Sequence, residues 1–105
     1  MRQGTRAKKD PAVGIVRVPW RVVEVQALSG HRLFVRFADG TEGEVDASSM
    51  VFGQKAGVFE RLRDPGEFAE AYVSGGAVTW PGGLDLAPDA MYDEIKANGR
   101  WTIKR

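Results

Sequence analysis

The densest group of side chains able to do chemistry is Asp85, Asp89, Asp93 and Glu94. Asp89 and Asp93 are four residues apart, so a helix places them on one face, with Asp85 just ahead of it. Carboxylates in that arrangement can hold a hard cation or work as an acid/base pair. The spacing fits no EF-hand loop. A structural reading is the stronger one: Asp89 in the first turn of a helix is favoured by the helix dipole, and Asp85 can accept backbone N–H groups in the corner before it. No catalytic residue, metal or cofactor is therefore assigned to the group.

His31 is the single histidine and there is no cysteine. Thiolate metal sites and disulfides are excluded, and one histidine alone makes a poor zinc site. No serine stands in a nucleophile-elbow pattern to partner it, so His31 is expected as an exposed turn residue. Gly75-Gly76 and Gly82-Gly83 lack the lysine and serine/threonine of a phosphate-binding loop and read as turn glycines. Trp20, Trp80, Trp101 and Tyr72, with Arg21, Arg32 and Arg36, can form a stacking or peptide-binding surface. At least one of these aromatics is expected in the core, because small domains rely on aromatic burial. Any tryptophan left exposed favours a protein interface.

The elements that must position these residues belong to a chain of 105 residues, enough for one small core. No apolar run in it is long enough for a signal peptide or a membrane span, so a cytoplasmic protein is the default expectation. The net charge of +1 hides an asymmetry. Residues 1–21 carry Arg2, Arg6, Lys8, Lys9, Arg17 and Arg21 against Asp10, and residues 100–105 add Arg100, Lys104 and Arg105. The stretch between, 22–99, holds 6 basic and 13 acidic residues. Arg2, Arg6, Lys8 and Lys9 are thus candidates for contact with nucleic acid phosphates. A solvated basic arm over residues 1–19 is the more ordinary reading.

Val22, Glu24 and Gln26 alternate with Val23, Val25 and Ala27, which predicts a strand over Trp20–Leu28 with the second set facing the core. Arg32–Asp46 predicts a hairpin. A two-residue loop at Asp39-Gly40 sets apolar side chains against acidic ones. A three-residue loop with Gly40 left-handed gives the pairs Leu33–Val45, Val35–Gly43 and Phe37–Thr41, with Arg36 opposite Glu42, and is preferred. A short irregular or helical piece follows over Ala47–Gln54, where Ser48 or Ser49 can cap, and a short helix after Asp64-Pro65, a cap followed by proline at the first helical position. Tyr72–Trp80 predicts a second hairpin turning at Gly75-Gly76. Pro88 opens a helix to about Ala97 that Asn98-Gly99 stops, and Trp101–Arg105 adds a short strand or a tail. The class is α+β: a small, mostly antiparallel sheet of hairpins, short helices and a C-terminal helix, as one domain over 20–99 between basic ends.

The order of motifs is itself distinctive. A V-x-V strand (Val23, Val25) precedes a hairpin closed by F-x-D-G (Phe37, Asp39, Gly40). V-F-x-x-L-x-D-P-x-x-F follows (Val58, Phe59, Leu62, Asp64, Pro65, Phe68), then V-x-W-P-x-G-x-D-L-x-P-D-x-x-Y (Val78, Trp80, Pro81, Gly83, Asp85, Leu86, Pro88, Asp89, Tyr92). Over roughly residues 20–97 this resembles the prokaryotic domain-of-unknown-function family 2442, and the last motif is the specific one. The resemblance implies a small α+β fold and no catalytic residue set. Some members resemble the N-terminal halves of proteins with an appended helix-turn-helix domain, for which this chain leaves no room after Tyr92. Others sit beside small partner proteins in toxin–antitoxin-like pairs. The expectation is a bacterial, non-enzymatic protein-interaction module, an antitoxin-like or accessory half of a two-gene pair, with Trp80, Asp85, Asp89 and Tyr92 as interaction residues. Its expected partner is then a protein, with the neighbouring gene as the candidate source. The alternative is a nucleic-acid-associated regulator using the basic termini.

Overall fold

The computed structural model describes residues 18–103; the expected basic arm up to Arg17, with Arg2, Arg6, Lys8 and Lys9, lies outside them. The fold is α+β. Strands β1 (Val22–Leu28), β2 (Arg32–Phe37) and β3 (Glu42–Asp46) form an antiparallel meander. Helices α1 (Ser48–Phe52) and α2 (Pro65–Phe68) flank a 3₁₀ helix over Gly57–Arg63. A second antiparallel sheet holds β4 (Tyr72–Ser74), β5 (Ala77–Trp80) and β6 (Leu84–Asp85). Helix α3 (Pro88–Asn98) leads to β7 (Arg100–Thr102), which joins the first sheet parallel to β3. Both sheets turn their inner faces to one core that includes Leu33, Val35, Phe37, Val45, Leu62, Phe68, Val78, Trp80, Met91 and Ile95.

The β2–β3 hairpin has the expected register. Leu33 pairs with Val45, Val35 with Gly43 and Arg36 with Glu42. Gly40 has φ +90°, Gly40 N donates to Phe37 O at 2.9 Å and Phe37 N to Thr41 O at 2.7 Å, which closes the three-residue loop. On the outer face Arg36 sits between Glu24 (2.8 Å) and Glu42 (3.2 Å). Exposed pairs of this kind contribute little to stability, so their effect is on register. The second hairpin turns at Gly75 and Gly76, both at positive φ, the geometry of a two-residue turn that matches strand twist.

Two expectations need correction. Val23 does not face the core: it is 52 % exposed, while Val22 is buried. The register slips between Val22, opposite Phe37, and Glu24, opposite Arg36, so Val23 is the extra residue of a β-bulge. Before the bulge β1 is tied to two different turns, by Val22 N to Gly76 O (2.8 Å) and Ala38 N to Arg21 O (2.8 Å). Simple alternation cannot survive both anchors. Neither Ser48 nor Ser49 caps α1; Asp46 Oδ1 accepts from Ser48 N (3.0 Å) and Ser48 Oγ (2.7 Å). Both bonds hold the Asp46 carboxyl below its usual range. Finally, of the short strand or tail expected at the C-terminus, residues 100–102 form the strand. Trp101 pairs with Val45, and Ile103, 7 % exposed, donates its N–H to Asp46 O.

Asp64 caps α2 as its sequence predicts, its Oδ2 accepting from Glu67 N at 3.0 Å with Pro65 at the first helical position. Asp64→Ala is expected to cost about 1 kcal/mol, the usual loss of an N-cap acceptor. Urea unfolding monitored by circular dichroism measures it, and a midpoint equal to that of the parent chain sinks the assignment.

Candidate functional site

The proposed interaction residues separate in space. Trp80 is withdrawn from any surface. It is fully buried, its ring centroid lies 5.7 Å from that of Phe68, and its Nε1–H donates to Phe68 O at 2.9 Å. The hydrogen bond satisfies the one polar atom that burial would otherwise strand. β5 carries Trp80 inward with Val78 because side chains alternate along a strand.

Asp85 lies on the opposite face. Tyr72, Thr79 and Asp85 stand directly across from one another on β4, β5 and β6, and paired residues of an antiparallel sheet project to the same side. The Asp85 carboxylate is exposed and has no hydrogen-bond or ion-pair partner among the described residues. It does not accept the corner's backbone N–H groups, as the sequence suggested. The corner is closed instead by Gly83 N to Trp80 O (3.1 Å), Leu86 N to Val78 O (3.0 Å) and the Arg61 guanidinium donating to Pro81 O. Asp89 sits in the first turn of α3, where its Oδ1 accepts from Ala90 N at 2.9 Å. Asp93 and Glu94 are exposed on α3, Glu94 Oε1 accepting from Asn98 Nδ2 at 3.4 Å. Among the described residues no three histidine or carboxylate side chains converge as metal ligands would.

Tyr92 has a partner that sequence reasoning missed. Its hydroxyl donates to Asp39 Oδ2 at 2.6 Å, across 53 residues of chain, and its ring meets the Phe37 ring edge-on at 5.2 Å. Lys96, one helical turn on, lies 3.5 Å from the same Asp39 oxygen and donates to Thr41 Oγ1 at 3.2 Å. Asp39 Oδ1 accepts from Thr41 N at 2.9 Å. The tip of the β2–β3 hairpin is thereby bolted to one face of α3. The Tyr92 hydroxyl, the Thr41 N–H and the Lys96 ammonium hold the Asp39 carboxyl far below the usual carboxylate range. The Tyr92 oxygen and Asp39 together hold the Lys96 ammonium above its usual range. The i, i+4 spacing of Tyr92 and Lys96 was visible in the sequence; that Asp39 comes to meet them was not.

This bolt has a pH signature. A carboxylate whose folded pKa is depressed contributes stability above its unfolded pKa and loses that contribution as pH falls through the folded value. Thermal midpoints of the parent chain are thus expected to fall as pH drops below about 4, the ordinary Asp value. In Tyr92→Phe, which removes the first cause of the shift, the fall is shallower. Parallel melting curves for the two chains between neutral pH and pH 3 would sink the assignment.

His31 is not the exposed turn residue expected. It is half-buried at φ +57°, and its ring lies between Phe52 (centroids 4.8 Å) and Phe68 (4.9 Å). Its Nε2 is 3.0 Å from Leu62 O and 3.2 Å from Arg63 O, so this nitrogen carries the proton and donates to both carbonyls. The ring fastens the β1–β2 turn to the 3₁₀ helix. An apolar cleft of about 430 Å³ opens beside it, lined by Leu28, Pro65 and Phe68 among others. Among the described residues His31 is the only titratable one lining it, and its Nε2 is already engaged.

The aromatic set divides. Trp80 is core and Trp101 packs half-buried against it, while Trp20 is 41 % and Tyr72 46 % exposed. Of the arginines expected to stack with them, Arg32 pairs with Glu44 at 2.8 Å and Arg36 with Glu24 and Glu42, while the Arg21 side chain lies against Gly76.

These contacts join the sequence motifs in pairs, F-x-D-G to the final tyrosine and the tryptophan to the phenylalanine after D-P. The pattern of the family described as Protein of unknown function (DUF2442) matches residues 22–97, most of the chain. The chain belongs to this family. No curated protein and no solved structure matches it significantly. Within the DUF2442 pattern most residues quoted above have an architectural role. Phe37, Phe59, Leu62, Phe68, Val78, Trp80 and Leu86 are core, Asp64 and Pro65 start α2, and Asp39 with Tyr92 forms the bolt. Val23, Val58 and Asp85 stand apart, exposed and without such a role. Among the described residues no helix is long and apolar enough to cross a membrane.

Proposed function

We propose that the chain is a non-enzymatic protein-interaction module, the antitoxin-like or accessory half of a two-gene pair, which works by binding a protein partner. The observation that carries this reading is the exposure of large apolar side chains along one seam. β1 and β4 are edge strands of different sheets lying side by side, tied at Val22 N to Gly76 O. Trp20 (41 % exposed) and Val23 (52 %) flank that tie, and Tyr72 (46 %) rises from β4. Leaving three such side chains in water forgoes their burial, and a partner recovers it. The bulge at Val23 supports the same reading, since bulges re-aim side chains.

Co-expression of the full chain with the product of each adjacent gene tests it. One small protein is expected to co-purify in fixed ratio, and the complex to dissociate when Val23 and Tyr72 are both changed to serine with the circular dichroism spectrum unchanged. If no protein associates and the chain retards DNA or RNA at low salt in a manner lost on neutralising Arg2, Arg6, Lys8 and Lys9, the nucleic-acid reading replaces this one.

A further inference from the structure

We infer that the outer face of the β4–β5–β6 sheet docks a protein segment that presents a cationic side chain beside an apolar one. This rests on the interaction reading above and names the partner's chemistry. Two observations fix it. The cross-strand row Tyr72–Thr79–Asp85 runs from an exposed aromatic to an exposed carboxylate over three adjacent strands. Other carboxylates on the sheets are already matched: Glu24 and Glu42 by Arg36, Glu44 by Arg32, Asp46 by Ser48. Asp85 has no such partner among the described residues, so its charge is available to a ligand.

Asp85 supplies the negative charge at this face, and an anionic group brought to it meets a like charge. The Tyr72 side chain, 46 % exposed, supplies the apolar area that a lone ion pair lacks. A lysine or arginine meeting Asp85, with an aliphatic or aromatic neighbour over Tyr72, satisfies both ends of the row. This arrangement selects against acidic segments, which leave Asp85 facing a like charge.

Selection of displayed random peptides on the immobilised full chain tests the inference. Enriched peptides are expected to combine lysine or arginine with a large apolar residue. Their affinity is expected to fall roughly tenfold for Tyr72→Ser and about as much for Asp85→Lys. Asp93→Lys, the same charge change on α3, is expected to leave it within about twofold, because Asp93 lies outside the Tyr72–Thr79–Asp85 row and exposed charges that do not meet the ligand are screened. Circular dichroism checks that each variant folds. Enriched peptides that are acidic or uncharged, or that lose equally with Asp93→Lys, overturn the inference. Peptides indifferent to Tyr72→Ser and Asp85→Lys overturn this surface while leaving the interaction reading in place; failure to enrich any peptide overturns both. Displacement of the selected peptides by a synthetic peptide of residues 1–17 makes the occupant the chain's own segment. A concentration-dependent dimer abolished by Tyr72→Ser makes it a second copy. Either result overturns a separate partner.

Discussion

Trp80→Ala is expected to lower the stability of the chain by about 3–5 kcal/mol, the range for removing a large aromatic from a packed core. Trp80 leads the fully buried side chains by volume and packs against Phe68, so the cavity is bordered by elements from two parts of the chain. Native domains of this size are stable by only about 5–15 kcal/mol, so the loss takes a large share of the total. Trp80→Phe separates the two contributions. It keeps much of the volume but deletes the closer donor to Phe68 O, which retains only the longer bond from Ala71 N (3.4 Å), at a cost of about 1 kcal/mol, that of one hydrogen bond. Urea unfolding of the three chains measures both. A change below about 1 kcal/mol in Trp80→Ala, far under the cavity range, would return Trp80 to the list of surface candidates.

Gly43→Ala is expected to destabilise the chain by about 1–3 kcal/mol through overpacking. Gly43 is paired in β3, so the problem is space. A Cβ there would lie 2.5 Å from Gly99 O and 2.7 Å from Ile95 Cγ2. Ile95 can adjust, but Gly99 O is backbone at the end of α3, next to the residue that begins β7. Relief requires the C-terminus of α3 to move away from the sheet, disturbing the Glu44–Arg100 pairing one residue along. Gly40→Ala is the control. Its Cβ would meet nothing within 4 Å, so its cost is that of a positive φ alone. Thermal melts rank the two with the backbone amide exchange of β7, which is expected to rise in Gly43→Ala and stay unchanged in Gly40→Ala. Equal exchange in both variants would mean that α3 does not rest on Gly43.

The two substitutions mark the boundary of what was legible beforehand. The hairpin register was readable because only one loop length kept Leu33, Val35 and Val45 on one face and set Arg36 against Glu42. Asp64-Pro65, Gly75-Gly76 and Asn98-Gly99 marked their elements because cap and turn chemistry acts over a few residues. The bulge at Val23 escaped because its cause lies at Ala38 and Gly76. The cap of α1 fell one residue outside the helix because Asp46 belongs to the strand before it.

The DUF2442 motif ending in Trp80, Asp85, Asp89 and Tyr92 was visible in the sequence as the most specific stretch of the chain, and short-range chemistry fixed its corner and its helix start. It took the tertiary structure to separate its members. Trp80 went into the core because strand alternation aimed it there and Phe68 O was within reach. Tyr92 was bound to Asp39, 53 residues away. Asp85 was left in water beside Tyr72 and Thr79 because β4, β5 and β6 pair in that register. Residue type and spacing determine local geometry. Which side chains find partners depends on contacts between segments distant in sequence, and those contacts left Asp85 with its charge unmatched among the described residues.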